Sequence, residues 1–256
     1  MTTLLVTGGS RGIGAAVARR AAKEGYAVAV NYHSDRSAAE ALVAEITAAG
    51  GSAIAVQGDV GRDADVVAMF DLVTHSLGTP TALVNSAGVS NGHVMVSDFN
   101  ADALENMMRT NVIGTMLCCR EAARRMSTAT GGTGGAVVNI SSMAATIGGR
   151  PGSSSYAASK AAVDAFTVGF AKEVGTQGIR VNSVRPGVTL TDMTSAVRDN
   201  PAIRKSVAAS IAMNRVAEAD EMAAPVLWLL SDQASFVSGC RLDVSGGGFI
   251  IGATTS

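Results

Sequence analysis

The sequence predicts an α/β domain built on a doubly wound parallel sheet of about seven strands, with helices on both faces. Short apolar segments that do not alternate with polar residues are each followed by a helical pattern, beginning with residues 4–7 and 13–24. Such segments are typical of strands that are buried on both faces and joined by right-handed crossovers. A glycine-rich turn at residues 8–14 separates the first strand from the first helix, which is typical of this fold class.

The same alternation continues along the chain without internal repeats or a linker, so we expect one domain over residues 1–256. It breaks after Pro186, where residues 188–217 show helical fragments but no strand, and we predict a substrate lid there. The predicted strands are residues 4–7, 27–32, 53–57, 82–85, 136–140, 179–184 and 241–244, and the predicted helices are residues 13–24, 37–49, 63–77, 101–126, 155–174 and 218–230.

Composition excludes several classes of partner. The formal net charge is -1, charged residues make up 16% of the chain, and no block of like charges is present, so neither nucleic acid nor an anionic membrane is expected to bind. The amino terminus carries no signal-peptide pattern, and the three cysteines do not form a disulfide framework. We therefore expect a cytoplasmic protein. His33, His75 and His93 lack metal-ligand spacing, so no metal is expected.

The glycine-rich turn predicts a phosphate-binding site. Glycines at a strand-to-helix turn let the backbone approach a pyrophosphate, which then accepts hydrogen bonds from N–H groups at the positive end of the helix. The predicted cofactor contacts in this turn are Gly8, Ser10, Arg11, Gly12, Ile13 and Gly14. The spacing Gly-x-x-x-Gly-x-Gly after Thr7 resembles that of the short-chain dehydrogenase/reductase family, whose members have a Rossmann fold.

The end of the second strand predicts NADP(H) as the cofactor. NAD-specific sites usually have a carboxylate there, whereas this position is Asn31. Tyr32, His33 and Ser34 offer hydrogen-bond donors, although His33 is also consistent with a plain surface residue. Arg11 lies where relatives hold the 2′-phosphate, with a solvated surface charge as the alternative.

Two aspartates near the predicted adenosine site have structural alternatives. Asp35 has nearly the spacing of a ribose-binding acid, but its position favours the start of the next helix. Asp59 and Val60 resemble the family's adenine-contacting pair, and a helix cap is the alternative for Asp59. The segment from Asn85 through Ser86 and Ala87 to Gly88 resembles the family's Asn-Asn-Ala-Gly motif, with serine in place of the second asparagine; its predicted cofactor contacts are Asn85, Ala87 and Gly88.

Tyr156 and Lys160 are the predicted catalytic pair and also contact the cofactor. A spacing of four residues puts both side chains on one face of a helix. A phenol with a pKa near ~10 exchanges protons poorly at neutral pH, and a neighbouring ammonium is expected to lower that pKa. Tyr156 would then give a proton to a carbonyl oxygen, or take one from an alcohol, during hydride transfer.

The resemblance implies the remaining members of the site. Ser142 is expected to orient the substrate oxygen, with Ser141 as the alternative because the loop before Tyr156 has one more residue than in many relatives. Asn111 resembles the family's helix-kinking asparagine, whose backbone can hold a water molecule that links Lys160 to solvent. Around the nicotinamide the resemblance implies Pro186, Gly187, Val188, Thr189 and Thr191.

The resemblance extends from Thr7 to the glycines at 246–248 and implies an oxidoreductase that transfers hydride between NADP(H) and a carbonyl or alcohol. Similar family types are 3-oxoacyl reductases, carbonyl reductases and sugar dehydrogenases. The alternative is a catalytically silent protein that binds NADP(H) and responds to it. A homotetramer or homodimer is also implied, with residues 101–126 and 155–174 packed across subunits or against their own core.

Overall fold

Within residues 2–248, seven parallel strands form one sheet with the order β3-β2-β1-β4-β5-β6-β7. A computed structural model describes residues 2–248 of the chain. Every strand boundary lies within two residues of its prediction, and the sheet is the predicted doubly wound Rossmann type. The strands are β1 (Thr3–Thr7), β2 (Ala27–Tyr32), β3 (Ser52–Gln57), β4 (Ala82–Asn85), β5 (Gly135–Ile140), β6 (Ile179–Pro186) and β7 (Arg241–Val244).

Helices cover both faces of the sheet. They are α1 (Gly12–Lys23), α2 (Arg36–Ala48), α3 (Asp63–Leu77), α4 (Ala101–Met108), α5 (Gly114–Met126), α6 (Ala144–Ile147), α7 (Ser154–Val174), α8 (Ser195–Asp199), α9 (Pro201–Ala209) and α10 (Ala219–Leu230). In β1, Leu4 and Val6 pack into the core beneath α1, α2 and α10, while Leu5 packs into the core beneath α3, α5 and α7. Because both faces are covered, the strands are apolar without alternation.

The helix predicted over residues 101–126 is interrupted. A π-helical segment, Arg109–Ile113, lies between α4 and α5, with the buried Asn111 at its centre. The Asn111 side chain leaves its helix to contact the backbone of Val89, accepting from its N–H at 2.8 Å and donating to its carbonyl at 3.0 Å. A π-helical turn displaces the chain without ending the helix, as expected of a kinking asparagine.

Residues 188–217 contain two short helices and no strand. An isolated parallel bridge between Thr189 and Ala217 closes the base of this segment. Val207, Ile211 and Val216 form a small apolar cluster of their own, so the segment packs as a separate flap at the sheet edge. Its role as a substrate lid stays a prediction.

Cys118 and Cys119 are buried and form no disulfide, and Cys240 is a free, half-buried thiol. Burial raises the pKa of Cys119 to about 12, so this thiol is inert. Within residues 2–248, no helix is long and apolar enough to cross a membrane, and no cluster of three or more metal-ligating side chains occurs.

Candidate active site

The glycine turn packs against the segment that follows β4. The Thr7 hydroxyl oxygen accepts hydrogen bonds from the backbone N–H groups of Ser86 and Ala87, at 3.1 and 3.2 Å. Gly8 has a φ of +59°, and a Cβ there would lie 2.7 Å from the Cα of Ala87. A side chain at Gly8 would therefore separate the two segments. The contact brings the turn and residues 85–88 together at the carboxyl edge of the sheet.

The first turn of α1 has the features of a pyrophosphate site. The helix starts at Gly12, no side chain caps it, and its first turn carries no acidic residue. Its first backbone N–H groups have no partner within the helix, so they are available to an anion. A Cβ on Gly14 would lie 2.4 Å from the Gly8 carbonyl oxygen, and one on Gly12 would lie 3.3 Å from Cγ2 of Thr191. The predicted turn residues therefore lie together, beside Thr191.

Asn31 has a bracing role that the sequence did not indicate. β2 ends one residue later, at Tyr32, and Asn31 is buried. Its Oδ1 accepts from the N–H of Gly8 at 3.1 Å, and its Nδ2 donates to the Gly58 carbonyl at 3.0 Å. Asn31 thus ties the glycine turn to the end of β3. Its predicted contact with the cofactor stays a prediction, and the outward positions at this strand end are His33 and Ser34.

Arg11 lies between two carboxylates at the surface. Its guanidinium is 3.9 Å from Oδ2 of Asp35 and 3.8 Å from Oδ2 of Asp192 in the 188–217 segment. Asp35 caps α2, as its position favours, by accepting from Ala38 N–H at 3.0 Å. That hydrogen bond, with a second from Ser37, lowers the pKa of Asp35. Arg11 therefore connects the glycine turn to the start of α2 and to the 188–217 segment.

A groove beside the end of β3 contains the predicted adenosine-site residues His33 and Asp59, together with Arg62, which the sequence analysis missed. Asp59 does not cap α3, since its Oδ1 accepts from the N–H of Gly61 at 2.9 Å and α3 begins later. Val60 is buried against Gly114, where a Cβ would lie 2.7 Å from Val60 Cγ2. The Asp59 carboxylate therefore stays at the groove rather than at a helix end.

Tyr156 and Lys160 lie in the first two turns of α7, at the ends of β4 and β5. Lys160 is 5% exposed, and its ammonium donates to the Ile140 carbonyl at 2.8 Å and lies 5.8 Å from the centre of the Tyr156 ring. A Cβ on Gly88 would lie 3.5 Å from Lys160 Nζ and 3.4 Å from Asn111 Oδ1. Gly88 thus leaves room for the ammonium, and the structure brings these predicted residues together.

The two candidate serines have different surroundings. Ser141 is buried and donates through Oγ to the Lys160 carbonyl at 3.1 Å, so its hydroxyl braces α7. Ser142 is half-buried, its Oγ accepts from the N–H of Ala144 at 3.1 Å, and it lies close enough to the Tyr156 phenol to lower the pKa of that group. Only the Ser142 hydroxyl is therefore adjacent to the phenol.

Burial dominates the protonation of the pair. It raises the pKa of Tyr156, and the neighbouring Ser142 hydroxyl opposes that rise only in part. The direction is opposite to the lowering expected from Lys160, because the cost of burying a charged phenolate outweighs the effects that lower the pKa. Burial also lowers the pKa of Lys160 to about 8, against the opposing charge of Asp164.

Asn111 joins the π-helical segment to the catalytic helix. Its Nδ2 donates to Ser159 Oγ at 3.0 Å, and its own carbonyl accepts from Thr115 Oγ at 2.9 Å. The side chain therefore fixes the distance between the segment and α7. The water-mediated link from its backbone to Lys160 stays a prediction.

Comparison with known proteins agrees with this geometry. A family model described as enoyl-(acyl carrier protein) reductase matches residues 8–248. The uncharacterized oxidoreductase YgfF of Escherichia coli K12 is 45% identical over 247 residues, which cover 96% of this chain and all of YgfF. The chain belongs to the short-chain dehydrogenase/reductase family. It is therefore an oxidoreductase of that family.

Two further proteins are similar to this short-chain dehydrogenase/reductase over nearly its whole length. The 3-oxoacyl-(acyl-carrier-protein) reductase FabG of Staphylococcus aureus Mu50 is 35% identical over 243 residues, covering 95% of this chain and 96% of FabG. The crystal structure of a blue fluorescent protein from a metagenomic library, in complex with NADPH, superposes with a TM-score of 0.87 at 35% identity, covering 96% of this chain and 97% of that one.

The short-chain dehydrogenase/reductase site is completed at the end of β6. This strand runs to Pro186, beyond its predicted end, because its last two residues pair with Asp243 and Val244 of β7. The N–H of Gly187 donates to the Val244 carbonyl at 2.9 Å, and the Thr189 hydroxyl donates to the Gly187 carbonyl at 3.1 Å. Val188 packs with the flap. The predicted nicotinamide turn thus leads directly into residues 188–217.

Proposed function

We propose that this short-chain dehydrogenase/reductase uses NADP(H) to interconvert a ketone or aldehyde and the corresponding alcohol. The supporting observation is that the Ser142 hydroxyl and the Tyr156 phenol are adjacent, with Lys160 one helical turn further along α7. This pair lies at the carboxyl edge of the sheet, beside the turn whose backbone N–H groups are available to an anion. In doubly wound folds, ligands bind at this edge.

In the proposed reaction, Ser142 and Tyr156 bind the substrate oxygen and Tyr156 transfers the proton. The nicotinamide, when bound, supplies or accepts the hydride. Ser142 holds the oxygen by a hydrogen bond, and Tyr156 donates its phenolic proton as negative charge develops on that oxygen. Lys160 stabilises the resulting phenolate through its nearby positive charge. The residues that would hold the pyrophosphate are those of the turn from Gly8 to Gly14.

The substrate class is tested by measuring NADPH and NADH consumption with 3-oxoacyl thioesters, diketones, aldehydes and sugar lactones. The FabG relative supports including thioesters, and Met143, Val188 and Met213 give an apolar wall near Gly187. Turnover of one class, abolished in Tyr156→Phe, would support the proposal. Tight NADPH binding without turnover of any class would instead favour the silent binding protein.

The proposed preference for NADP(H) gives a prediction for Arg11. Its exposed guanidinium lies beside the turn, and the structural relative was solved with NADPH. We expect Arg11→Ala to raise the KM for NADPH about tenfold, because a charge-assisted contact with the 2′-phosphate is lost, and to leave the KM for NADH nearly unchanged. Arg19→Ala is the control, since Arg19 is a partly exposed arginine of α1, the helix that follows Arg11, and pairs with Glu45. Equal losses with both cofactors would contradict the proposed role.

The two serines give a second prediction. We expect Ser142→Ala to lower kcat/KM about a hundredfold, since a donor to the substrate oxygen is removed. Ser141→Ala should cost about 1 kcal/mol of unfolding free energy, through loss of one buried hydrogen bond, with activity within a few-fold of wild type. Steady-state kinetics and urea unfolding of both variants provide the measurement. The opposite pattern would make Ser141 the catalytic serine.

The assembly and location also remain proposals. On α7, Ala161 and Ala165 are exposed one helical turn apart, whereas Ala157 is buried. Small exposed side chains allow close helix packing, which supports a homotetramer or homodimer through this helix. The three free cysteines support a reducing, cytoplasmic location.

A further inference from the structure

A buried carboxylate lies behind the catalytic lysine. Asp164 is on α7, one helical turn after Lys160, and is 4% exposed. Its Oδ1 accepts a hydrogen bond from the Ser183 hydroxyl at 3.0 Å, and its Oδ2 accepts from Nε of Arg185 at 2.7 Å. Both partners belong to β6. The proposed reaction uses none of these three side chains.

Arg185 connects the buried Asp164 to the protein surface and to the turn after β6 that is predicted to contact the cofactor. Its side chain is 14% exposed, and its second contact is with Asp243 of β7 at 3.3 Å. Arg185 immediately precedes Pro186, which begins the turn proposed to lie beside the nicotinamide. The ion pair with Asp164 therefore joins the helix that carries the catalytic pair to the strand that positions the cofactor turn.

The surroundings of Lys160 leave Asp164 as the source of negative charge. Tyr156 on the same helix is a phenol whose pKa is raised, and the Ile140 carbonyl from β5 is neutral. Asn111 from the π-helical segment and Ser142 after β5 are also neutral. A buried ammonium is costly without an opposing charge. The Asp164 charge favours the protonated form of Lys160.

We propose that Asp164 is a positioning residue for Lys160: held by Ser183 and Arg185, its carboxylate keeps the ammonium charged and fixes α7 against β6. This inference rests on the proposed function for its catalytic meaning, because Lys160 serves Tyr156 there. The effect of Asp164 on the protonation of Lys160 does not depend on the proposed function, because it can be measured in protein without substrate.

The test is an NMR titration of the lysine Cε groups in selectively labelled protein. The chain has four lysines, and the Lys160 signal is assigned by its loss in Lys160→Met. We expect Asp164→Asn to lower the pKa of Lys160 by about one pH unit, because an opposing charge is removed while the shape is kept. We expect Arg185→Gln to raise that pKa, since a positive charge is removed from behind Asp164.

Ser183→Ala is the matched control. It removes a hydrogen bond to Asp164 and keeps both charges, so the Lys160 pKa should stay unchanged even if the protein is less stable. A purely structural role would give losses of stability without opposite shifts. Unchanged titration in Asp164→Asn, or shifts of the same sign in both charge variants, would overturn the proposal. If Asp164→Asn does not fold, Arg185→Gln is compared with the charge-conserving Arg185→Lys. Only Arg185→Gln should raise the pKa of Lys160, and equal titration in both variants would overturn the proposal.

The pH profile of kcat/KM supplies a second readout in active protein. The pKa of about 8 for Lys160 predicts a transition near that pH in the profile. This transition should move in the same direction as the NMR titration in each variant. Absence of turnover in the wild type would count against the proposed function and leave the lysine titration valid. Wild-type turnover with no displacement in Asp164→Asn would count against the positioning role alone.

Discussion

Tyr156→Phe is expected to lower kcat/KM by about 10²–10⁴-fold and to leave NADPH affinity within about twofold of wild type. The phenylalanine keeps the ring that packs in the first turns of α7 but has no proton to donate. Hydride transfer would then leave negative charge on the substrate oxygen with only Ser142 to stabilise it. Single-turnover kinetics and a fluorescence titration with NADPH measure the two quantities separately.

Tyr26→Phe is the control for this prediction. Tyr26 immediately precedes β2, and burial raises its pKa as it does that of Tyr156. It lies at the amino end of a parallel strand, whereas the proposed site lies at the carboxyl end, so activity should be retained. Full turnover in Tyr156→Phe would exclude the phenol as proton donor. Loss of NADPH binding together with turnover would indicate a damaged cofactor site instead.

The protonation of Tyr156 also determines how the rate of the proposed reaction should depend on pH. Burial raises the pKa of Tyr156, so the phenol is protonated at neutral pH. Carbonyl reduction needs the protonated acid, whereas alcohol oxidation needs the phenolate. The rate of alcohol oxidation should therefore increase as the pH rises above neutrality.

Much of the fold followed from local patterns. Each strand is apolar because it is covered on two faces, so β1 was visible as Leu4, Leu5 and Val6 without knowledge of its neighbours. In a parallel sheet, the carboxyl ends of all strands lie at one edge, so residues that follow different strands come together there. The spacing of Tyr156 and Lys160 on one helix then fixed their relative position from sequence alone.

The remaining features depend on contacts distant in sequence. Asn31 braces the glycine turn through Gly58, a partner 27 positions away. Asp164 and Arg185 meet only because α7 packs on β6. Apart from its spacing of four from Lys160, nothing local distinguishes Asp164 from a polar residue on an outer helix face. The direction of the Tyr156 pKa shift depends on how deeply the fold buries the phenol, which spacing does not define.

Lys160 illustrates a conflict between stability and activity. Its ammonium is taken out of water to stand beside Tyr156, and burial lowers the pKa of Lys160 from an ordinary value of 10.5 to about 8. A depressed pKa means that the unfolded chain binds the proton more tightly than the folded protein. Above pH 10.5 this lysine does not lower the free energy of unfolding. As the pH falls from 10.5 to 8, the free energy of unfolding decreases, and at neutral pH it is about 3 kcal/mol lower.

Lys160→Met should therefore abolish turnover and change the pH dependence of stability. Between pH 7 and about pH 10.5, the wild type is expected to gain about 3 kcal/mol of unfolding free energy relative to the variant. Urea unfolding at a series of pH values measures this difference. Lys172→Met, a change at an exposed lysine of the same helix, should show no such gain. A pH-independent difference for Lys160→Met would mean that the buried ammonium keeps an ordinary pKa, and the conflict between stability and activity at this lysine would then be excluded.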